Sequence, residues 1–381
     1  MRYHGTDIDG VFLTPERLEV RGTNLNDLVG RSTYPQAVAH TLLGKAQRPD
    51  SADAVEAVLA HSVDTLAPDA PAIGLIRAAA AAGATPAQAV TAGLMVPGDE
   101  GVAIPGSTGT EAGGLTPAMA EGLHLVARLP LYLAAAIAES DADARRRLER
   151  AGAIGGPYIR RVHALFLDGA TPEPWQTAVL EALFVAWHGG FGYLPPSVMM
   201  PRIAIGTGVP IRQALGAGFA AGGPNHIGAC EEAIALLLGC LGRASNGDLP
   251  MVTDAAIAAV LDAGRKVPGF GHPLFRADPR APHLRSLIEE FGVSGMAPIV
   301  AYDAAVDSMQ RRTGLPPNID FASAALFIAA GIRTRAGGTL ALCARGAGMV
   351  AHMIERQAKP AFGVNSAMAR KQIDLLPKNW L

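Results

Sequence analysis

Apolar residues recur along most of the chain in Ala-rich stretches of helical spacing, interrupted by Gly and Pro rather than by long polar segments. Val, Ile, Tyr and Phe do not fall into alternating runs, so the pattern predicts many short helices and few strands. Several helix starts are legible. Thr85-Pro86-Ala87-Gln88 combines an N-cap, a Pro at the first helical position and a Gln placed to close a capping box. Thr116-Pro117 and Thr171-Pro172 are expected to open helices in the same way. Thr253-Asp254 predicts a helix through Leu261 that stops at Gly264, and Ser51 predicts the cap of a helix running to about Leu66. One segment differs: Val11 to Gly22 alternates about Thr14-Pro15 as a small hairpin does. Val96–Gly114, rich in Gly, Pro and Thr, reads as a loop.

Composition narrows the class. The 44 glycines and 28 prolines lie between periodic apolar segments, which implies tight corners between helices rather than disorder. Lys plus Arg number 32 against 34 Asp plus Glu, without the basic excess that a nucleic-acid footprint needs. Three cysteines, Cys230, Cys240 and Cys343, are too few and too unevenly spaced for a disulfide framework, so a reducing compartment is expected. Met1–Gly10 is polar and does not read as a signal segment. The longest apolar runs, Leu129–Ala138 and Ala233–Leu241, are about half of the roughly 20 residues that span a bilayer. The expectation is a soluble, cytoplasmic chain with no membrane partner.

Three polar islands interrupt this apolar background. The first, Gly222-Gly223-Pro224-Asn225-His226-Ile227-Gly228-Ala229-Cys230, leads into an apolar helix that begins near His226. A histidine at a helix N-terminus feels the positive end of the dipole, which disfavours imidazolium and leaves a neutral ring able to donate one hydrogen bond. The same residue also reads as a plain cap, and its i, i+4 spacing to Cys230 suits a metal, although no second ligand pair accompanies it. The second island runs from Lys266 through Gly269-Phe270-Gly271-His272 to Arg276 and Asp278-Pro279-Arg280. Its Gly-Phe-Gly turn can present N–H groups to an anion or an adenine edge, and the arginines suit phosphate or carboxylate. A polar surface loop is the plain alternative. The third, Pro316-Pro317-Asn318-Ile319-Asp320-Phe321, places a carboxylate at a helix start, which by itself is also what an ordinary cap does.

Taken in order, the islands resemble the citrate synthase family, which carries Gly-Pro-x-His-Gly-Gly-Ala, Gly-Tyr/Phe-Gly-His followed by Asp-Pro-Arg, and Asn-Val-Asp. Trp187-His188-Gly189, the Ala344–His352 segment, Val20-Arg21-Gly22 and Gln36–Gly44 extend the resemblance over most of the chain. It implies an all-α fold of a large helical domain (1–227 and 332–381) and a small one (228–331), with a cleft between them, in a homodimer. It further implies that His226 stabilises the enolate of an acyl-CoA thioester, Asp320 removes the α-proton and His272 polarises the ketone of a 2-oxo acid. His188, Arg280 and Arg345 would hold carboxylates. Arg276, Lys266, Val267, Gly269, Phe270, Gly271 and Asn318 would meet coenzyme A, which is a substrate here; no permanently bound cofactor and no metal are implied. The chemistry is coherent, since a thioester α-proton yields to a carboxylate only if the enolate is stabilised at the same time.

The chain departs from the family pattern at several points. Ile227 stands where Gly follows the histidine, and Cys230 where Asn is usual. The His272–Arg280 loop is one residue shorter than in many members. Lys359-Pro360 is the nearest match to an Arg-Pro segment that the family donates across its dimer. Condensation of acetyl-CoA with oxaloacetate to citrate is the leading expectation, and propionyl-CoA is a further acyl donor to consider. Cleavage of citryl-CoA is the alternative within the family, and a coenzyme A-binding protein without chemistry the alternative outside it.

Overall fold

The computed structural model describes residues 6–97, 105, 112–245, 247–332 and 336–359. Most of the loop expected at Val96–Gly114, and Pro360, lie outside the described residues. An antiparallel sheet comes first, with β1 (Asp9–Leu13), β2 (Glu16–Val20) and β3 (Thr23–Asn24) in that order and Phe12 opposite Arg17. The remainder is helical. The elements are α1 (Leu25–Leu28), α2 (Tyr34–Leu43), α3 (Ser51–Asp64), α4 (Pro71–Ala81), α5 (Pro86–Leu94), α6 (Pro117–Ile137), α7 (Asp141–Ala153), α8 (Tyr158–Ala164) and α9 (Pro174–Trp187). There follow α10 (Pro196–Ile205), α11 (Ile211–Ala220), α12 (Pro224–Arg243), α13 (Leu249–Asp262), α14 (Arg280–Glu290), α15 (Ala297–Arg312), α16 (Ile319–Ala329) and α17 (Gly337–Gln357). The chain is all-α apart from the small sheet.

The local signals perform unevenly. Thr85 and Gln88 form the expected capping box, and the Thr116 hydroxyl accepts from Met119 N. The Thr14-Pro15 turn joins β1 to β2 as read. Three starts differ. α9 is capped by Glu173 ahead of Pro174, because Gln176 bonds back to the Glu173 N–H rather than to Thr171. α13 begins at Leu249, one turn earlier than Thr253; Thr253 is buried inside it, and Gly264 follows its end with φ +68. α3 takes Asp50 as its N-cap, while Ser51 accepts from Arg48 N and donates to Gly113 O.

The core is built around α17, which packs against α2, α6, α9, α10, α11 and α12. α6 completes it from the other side, against α3, α4, α5 and α7. By length and composition α6 is apolar enough to cross a membrane, which the run-by-run reading of the sequence did not anticipate; 83% of its apolar window is buried inside the fold. Its interior polar groups are satisfied there. Arg128 donates from Nε to Ser62 O at 3.2 Å, and from Nη2 to Thr65 Oγ1 at 3.2 Å. α6 is the core helix of a helical stack.

The helices α12 to α16 pack on one another, and α12 and α16 also meet α17. The division expected at 227/228 falls in the first turn of α12. There Ile227 is buried against Gly338 of α17, where any Cβ would strike the Ile227 carbonyl oxygen. Gly338 thus lets α17 approach the backbone of α12 at residue 227, whatever side chain stands there.

Gly338→Ala is expected to destabilise the protein by about 1–3 kcal/mol in denaturant unfolding. Because the nearest atom is backbone, Ile227→Gly added to it is not expected to restore stability; recovery in the double variant would refute this packing.

Candidate active site

The site begins where two loops are stitched together. Asp278 is 1% exposed and takes four hydrogen bonds. Arg280 grips it with two guanidinium bonds, Nε to Oδ1 at 3.0 Å and Nη2 to Oδ2 at 2.8 Å. The backbone N–H groups of Arg280 and Ile319 supply the others, each at 3.1 Å. Burial alone would raise the Asp278 carboxyl, but Arg280 outweighs it and holds the group below the ordinary carboxylate range. Beside this junction, Gly269 has φ +77, and a Cβ there would lie 2.7 Å from Phe321 N, so only glycine lets the turn approach α16 so closely. Asn318 N donates to Gly269 O at 2.9 Å, and its Nδ2 to Gly271 O at 2.8 Å. The Asn318 carbonyl caps α16 by accepting from Asp320 N at 2.9 Å. The second and third sequence islands are therefore one structural unit.

That unit and the first island wall a cavity of about 550 Å³. His226, His272, Asp320, Arg280 and Arg345 all line it, together with Trp187 and Phe191. Asp320 is the second residue of α16, and burial pushes its carboxyl up to about 6 against the opposing pull of Arg280 and Arg345. His226 is the third residue of α12. Burial, then Arg345, bring it down to about 4. Its Nε2 lies 2.8 Å from Ser197 Oγ, and Arg345 Nη1 donates to the same oxygen over a long 3.4 Å. Arg345 takes one of the two acceptor positions of the serine oxygen, and a serine proton given to Nε2 leaves the ring proton on Nδ1. The backbone N–H groups of Leu274 and Phe275, each 3.1 Å away, both point at His272 Nδ1. His272 therefore carries its proton on Nε2, and burial disfavours a second one. The ring lies stacked with Phe275 and Phe191, at 4.9 and 5.7 Å between centroids.

Both guanidiniums in the cavity rest on one indole. Arg345 lies 5.3 Å and Arg280 5.7 Å from the centroid of Trp187, and Arg280 also lies 4.8 Å from that of Phe191. Burial, then Arg280, lower Arg345 to about 10. Arg280 Nη1 is buried without a hydrogen-bond partner among the described residues. Two convergent cations and an unused donor form a place for an anion.

Not every expected residue is brought here. His188 is fully buried at the end of α9, with Nδ1 2.6 Å from Val185 O and Nε2 2.8 Å from Thr41 Oγ1. It lines a separate crevice with Asp9 and His352, not the large cavity. Lys266, Val267, Phe270 and Gly271 line a second cavity of about 510 Å³ with Arg265, Met309 and Leu315. The two cavities share His272 and Pro273. Arg276 is exposed and lines neither; Glu16 of β2 holds its backbone N–H at 2.6 Å. Gly269 lines neither, whereas Asn318 does line the large cavity, with its side-chain carbonyl and one amide hydrogen spent on backbone. Ile227 packs on α17 rather than into the cavity. Cys230 is buried beside Gly337, and among the described residues no group of three His, Cys, Asp or Glu could hold a metal. Lys359 lies 3.9 Å from Glu355 of its own chain.

Ser197, Asp278 and Phe191 were not singled out from the sequence. Asp278 sits inside a recognised motif as a neighbour of Arg280. Ser197 and Phe191 carry no local signal, since each matters only through side chains far away in the chain.

Nitrogen NMR of ¹⁵N-histidine-labelled protein is expected to find His226 as the Nδ1–H tautomer and His272 as Nε2–H, both neutral at pH 7.5. Ser197→Ala should release His226 to a mixture; an unchanged spectrum would count against the serine. Asp278→Ala is expected to cost about 3–5 kcal/mol in unfolding, because it strands Arg280 in the interior.

Comparison with known proteins agrees with this architecture. A Mycobacterium bovis protein whose name provisionally calls it citrate synthase 2 is 28% identical over 249 residues, 57% of this chain and 63% of that protein. The chain thus covers under two thirds of that relative. Among solved structures, the citrate synthase of Pyrobaculum aerophilum superposes with a TM-score of 0.71 at 20% identity, over 99% of this chain and 91% of that one. The citryl-CoA lyase of Hydrogenobacter thermophilus gives 0.50 at 22% identity, over 58% and 84%. At these identities the structural likeness speaks for the fold alone. The family described as citrate synthase, C-terminal domain, matches residues 2–363, and the chain belongs to the citrate synthase family.

Proposed function

We propose that the protein joins the α-carbon of an acyl-CoA thioester to the ketone of a 2-oxo acid. The observation that carries this reading is the convergence of Asp320, His226 and His272 on one cavity that also holds Arg280 and Arg345. In this reading Asp320 takes the α-proton. A carboxyl near 6 is ionised at neutral pH yet more basic than an exposed carboxylate, which suits a general base. The Nδ1–H of His226 donates to the thioester oxygen as the enolate forms. A neutral donor fits, since burial and Arg345 oppose its protonation.

His272 then donates from Nε2 to the ketone oxygen, and the two guanidiniums hold the adjacent carboxylate. The second cavity, with Lys266 and Arg265 at its rim, takes the coenzyme A chain up to the shared His272–Pro273 wall. A homodimer belongs to the same proposal. The groups are equally able to run the reverse step, in which a citryl-type thioester splits without hydrolysis. The name of the Hydrogenobacter relative keeps that direction as the second reading.

Asp320→Asn is expected to lower solvent exchange of acetyl-CoA methyl protons by about 10²–10⁴-fold while coenzyme A still binds. In the unaltered protein, exchange should fall as pH drops through about 6, because protonation removes the base. Exchange that persists in the variant, or ignores pH between 5 and 7, defeats the assignment. Release of free coenzyme A from acyl-CoA plus oxo acid, set beside acetyl-CoA formation from citryl-CoA, separates synthesis from cleavage.

A further inference from the structure

The N-terminal hairpin lies far from the site in sequence, yet it reaches two of the segments that build it. We infer that this hairpin orients the His272 imidazole, with Glu16 and Asp9 as positioning residues that fix the two aromatic rings packed beside it. This rests on the condensation reading above and concerns the donor that reading gives to the ketone.

His272 stacks with Phe275 and Phe191, and those two rings also meet one another at 6.0 Å between centroids. The imidazole plane is thus set by two phenyl rings, and its place by whatever holds the segments that carry them. Phe275 is buried. The N–H groups of Leu274 and Phe275 point at His272 Nδ1. The next two, of Arg276 and Ala277, point at the Glu16 carboxylate of β2, at 2.6 Å to Oε1 and a longer 3.4 Å to Oε2. Successive amides are therefore divided between an imidazole and a carboxylate. Peptide units are rigid planes hinged at Cα, so the grip of Glu16 on the second pair restrains the direction of the first. Asn26 of α1, directly after the sheet, adds a bond from Nδ2 to Pro279 O at 2.8 Å.

Phe191 is held from the same hairpin. Asp9 of β1 accepts from the N–H of Gly190, the residue before it, and is itself bonded to His352 at 2.8 Å. Gly190 has φ +105, and a Cβ there would lie 3.0 Å from Leu18 Cβ of β2, so the turn rests on the hairpin only as glycine. The β1–β2 register runs from Asp9 opposite Val20 to Leu13 opposite Glu16. Asp9 and Glu16 therefore stand at opposite ends of one hydrogen-bonded ribbon, and each end holds the backbone next to one of the rings that flank His272. The consequence is directional. A hydrogen bond weakens steeply as it bends, so an Nε2–H that polarises a ketone must keep its aim.

Glu16 is the position to change, since it is only partly buried, whereas Asp9 is buried against His352 and its loss threatens the fold. In ¹⁵N-histidine NMR at pH 7.5, Glu16→Ala is expected to turn the single Nε2–H form of His272 into a mixture of tautomers. Glu16→Gln, whose side-chain oxygen still accepts from the Arg276 N–H, is expected to keep the single form. In turnover, Glu16→Ala is expected to lower kcat for coenzyme A release from acetyl-CoA plus oxo acid by about 10–10²-fold. Solvent exchange of the acetyl-CoA methyl protons, which calls on Asp320 and His226, should stay close to the unaltered rate. An unchanged His272 spectrum in Glu16→Ala overturns the inference, as does a Glu16→Gln spectrum as mixed as that of Glu16→Ala. Exchange that falls in step with coenzyme A release marks general damage and overturns an action through His272. Failure of the wider reading looks different. Absence of both exchange and coenzyme A release in the unaltered protein defeats the condensation, while the His272 spectrum still decides whether Glu16 orients the ring.

Discussion

The Asp278 carboxylate is the point on which the site depends. It is almost fully buried, and it can remain ionised there only because every lone-pair direction is answered: two by Arg280, one by the Arg280 N–H and one by the first turn of α16. The same bonds do three positional tasks. They aim Arg280 across Trp187, they pull the start of α16 against the 272–280 loop, and so they bring Asp320 into the cavity that His272 also lines. A charge that cannot move and cannot be neutralised cheaply is a strong constraint on geometry. The glycine turn at 269 and the Asn318 amide brace the same junction with neutral bonds, which lock it further without adding charge.

Around that junction the electrostatics follow from burial. Two guanidiniums that share an indole face make the cavity receptive to an anion, and burial together with Arg345 makes an added proton on His226 costly. Asp320 feels the opposite balance. Loss of water raises its carboxyl, Asp278 adds to the rise, and the arginines restrain it, leaving a base poised near 6. The two imidazoles are neutral for the same physical reason, yet they present different nitrogens. One is held by a side chain that relays from Arg345, the other by backbone N–H groups of its own loop. A shared fold thus produces two distinct donors from one residue type.

A second buried network anchors the N-terminal sheet to the core. Asp9 of β1 bonds His352 of α17 at 2.8 Å and accepts from the Gly190 N–H. Burial would raise Asp9, but His352 and that N–H bring it below the ordinary range. Arg202 reaches His352 and pairs with Glu355 at 2.6 Å. Since Gly190 immediately precedes Phe191, this network also steadies the wall of the cavity. The hairpin contributes again through Glu16, which ties down the loop at Arg276. Arg276 is consequently held by its backbone, with its side chain outside both cavities.

Local chemistry alone determined much of this protein. Helical periodicity, the Thr85 capping box, the hairpin at Thr14-Pro15 and the three polar islands are short-range features. Each rests on residues within a turn or two of one another, so they could be read without coordinates. Boundaries set by longer reach could not. α13 starts a turn before Thr253, which is buried inside the helix rather than capping it, and α6 hides an arginine whose partners lie on another helix. The site divides in the same way. His226, His272, Asp320, Arg280 and Arg345 were marked by motif and do share a cavity. Which nitrogen each histidine offers, why His188 is turned away, and what Phe191 and Ser197 do were decided only by the tertiary packing. A tautomer, a blocked ring or an apolar wall is a relation between side chains far apart in the chain, and no spacing within the sequence encodes it.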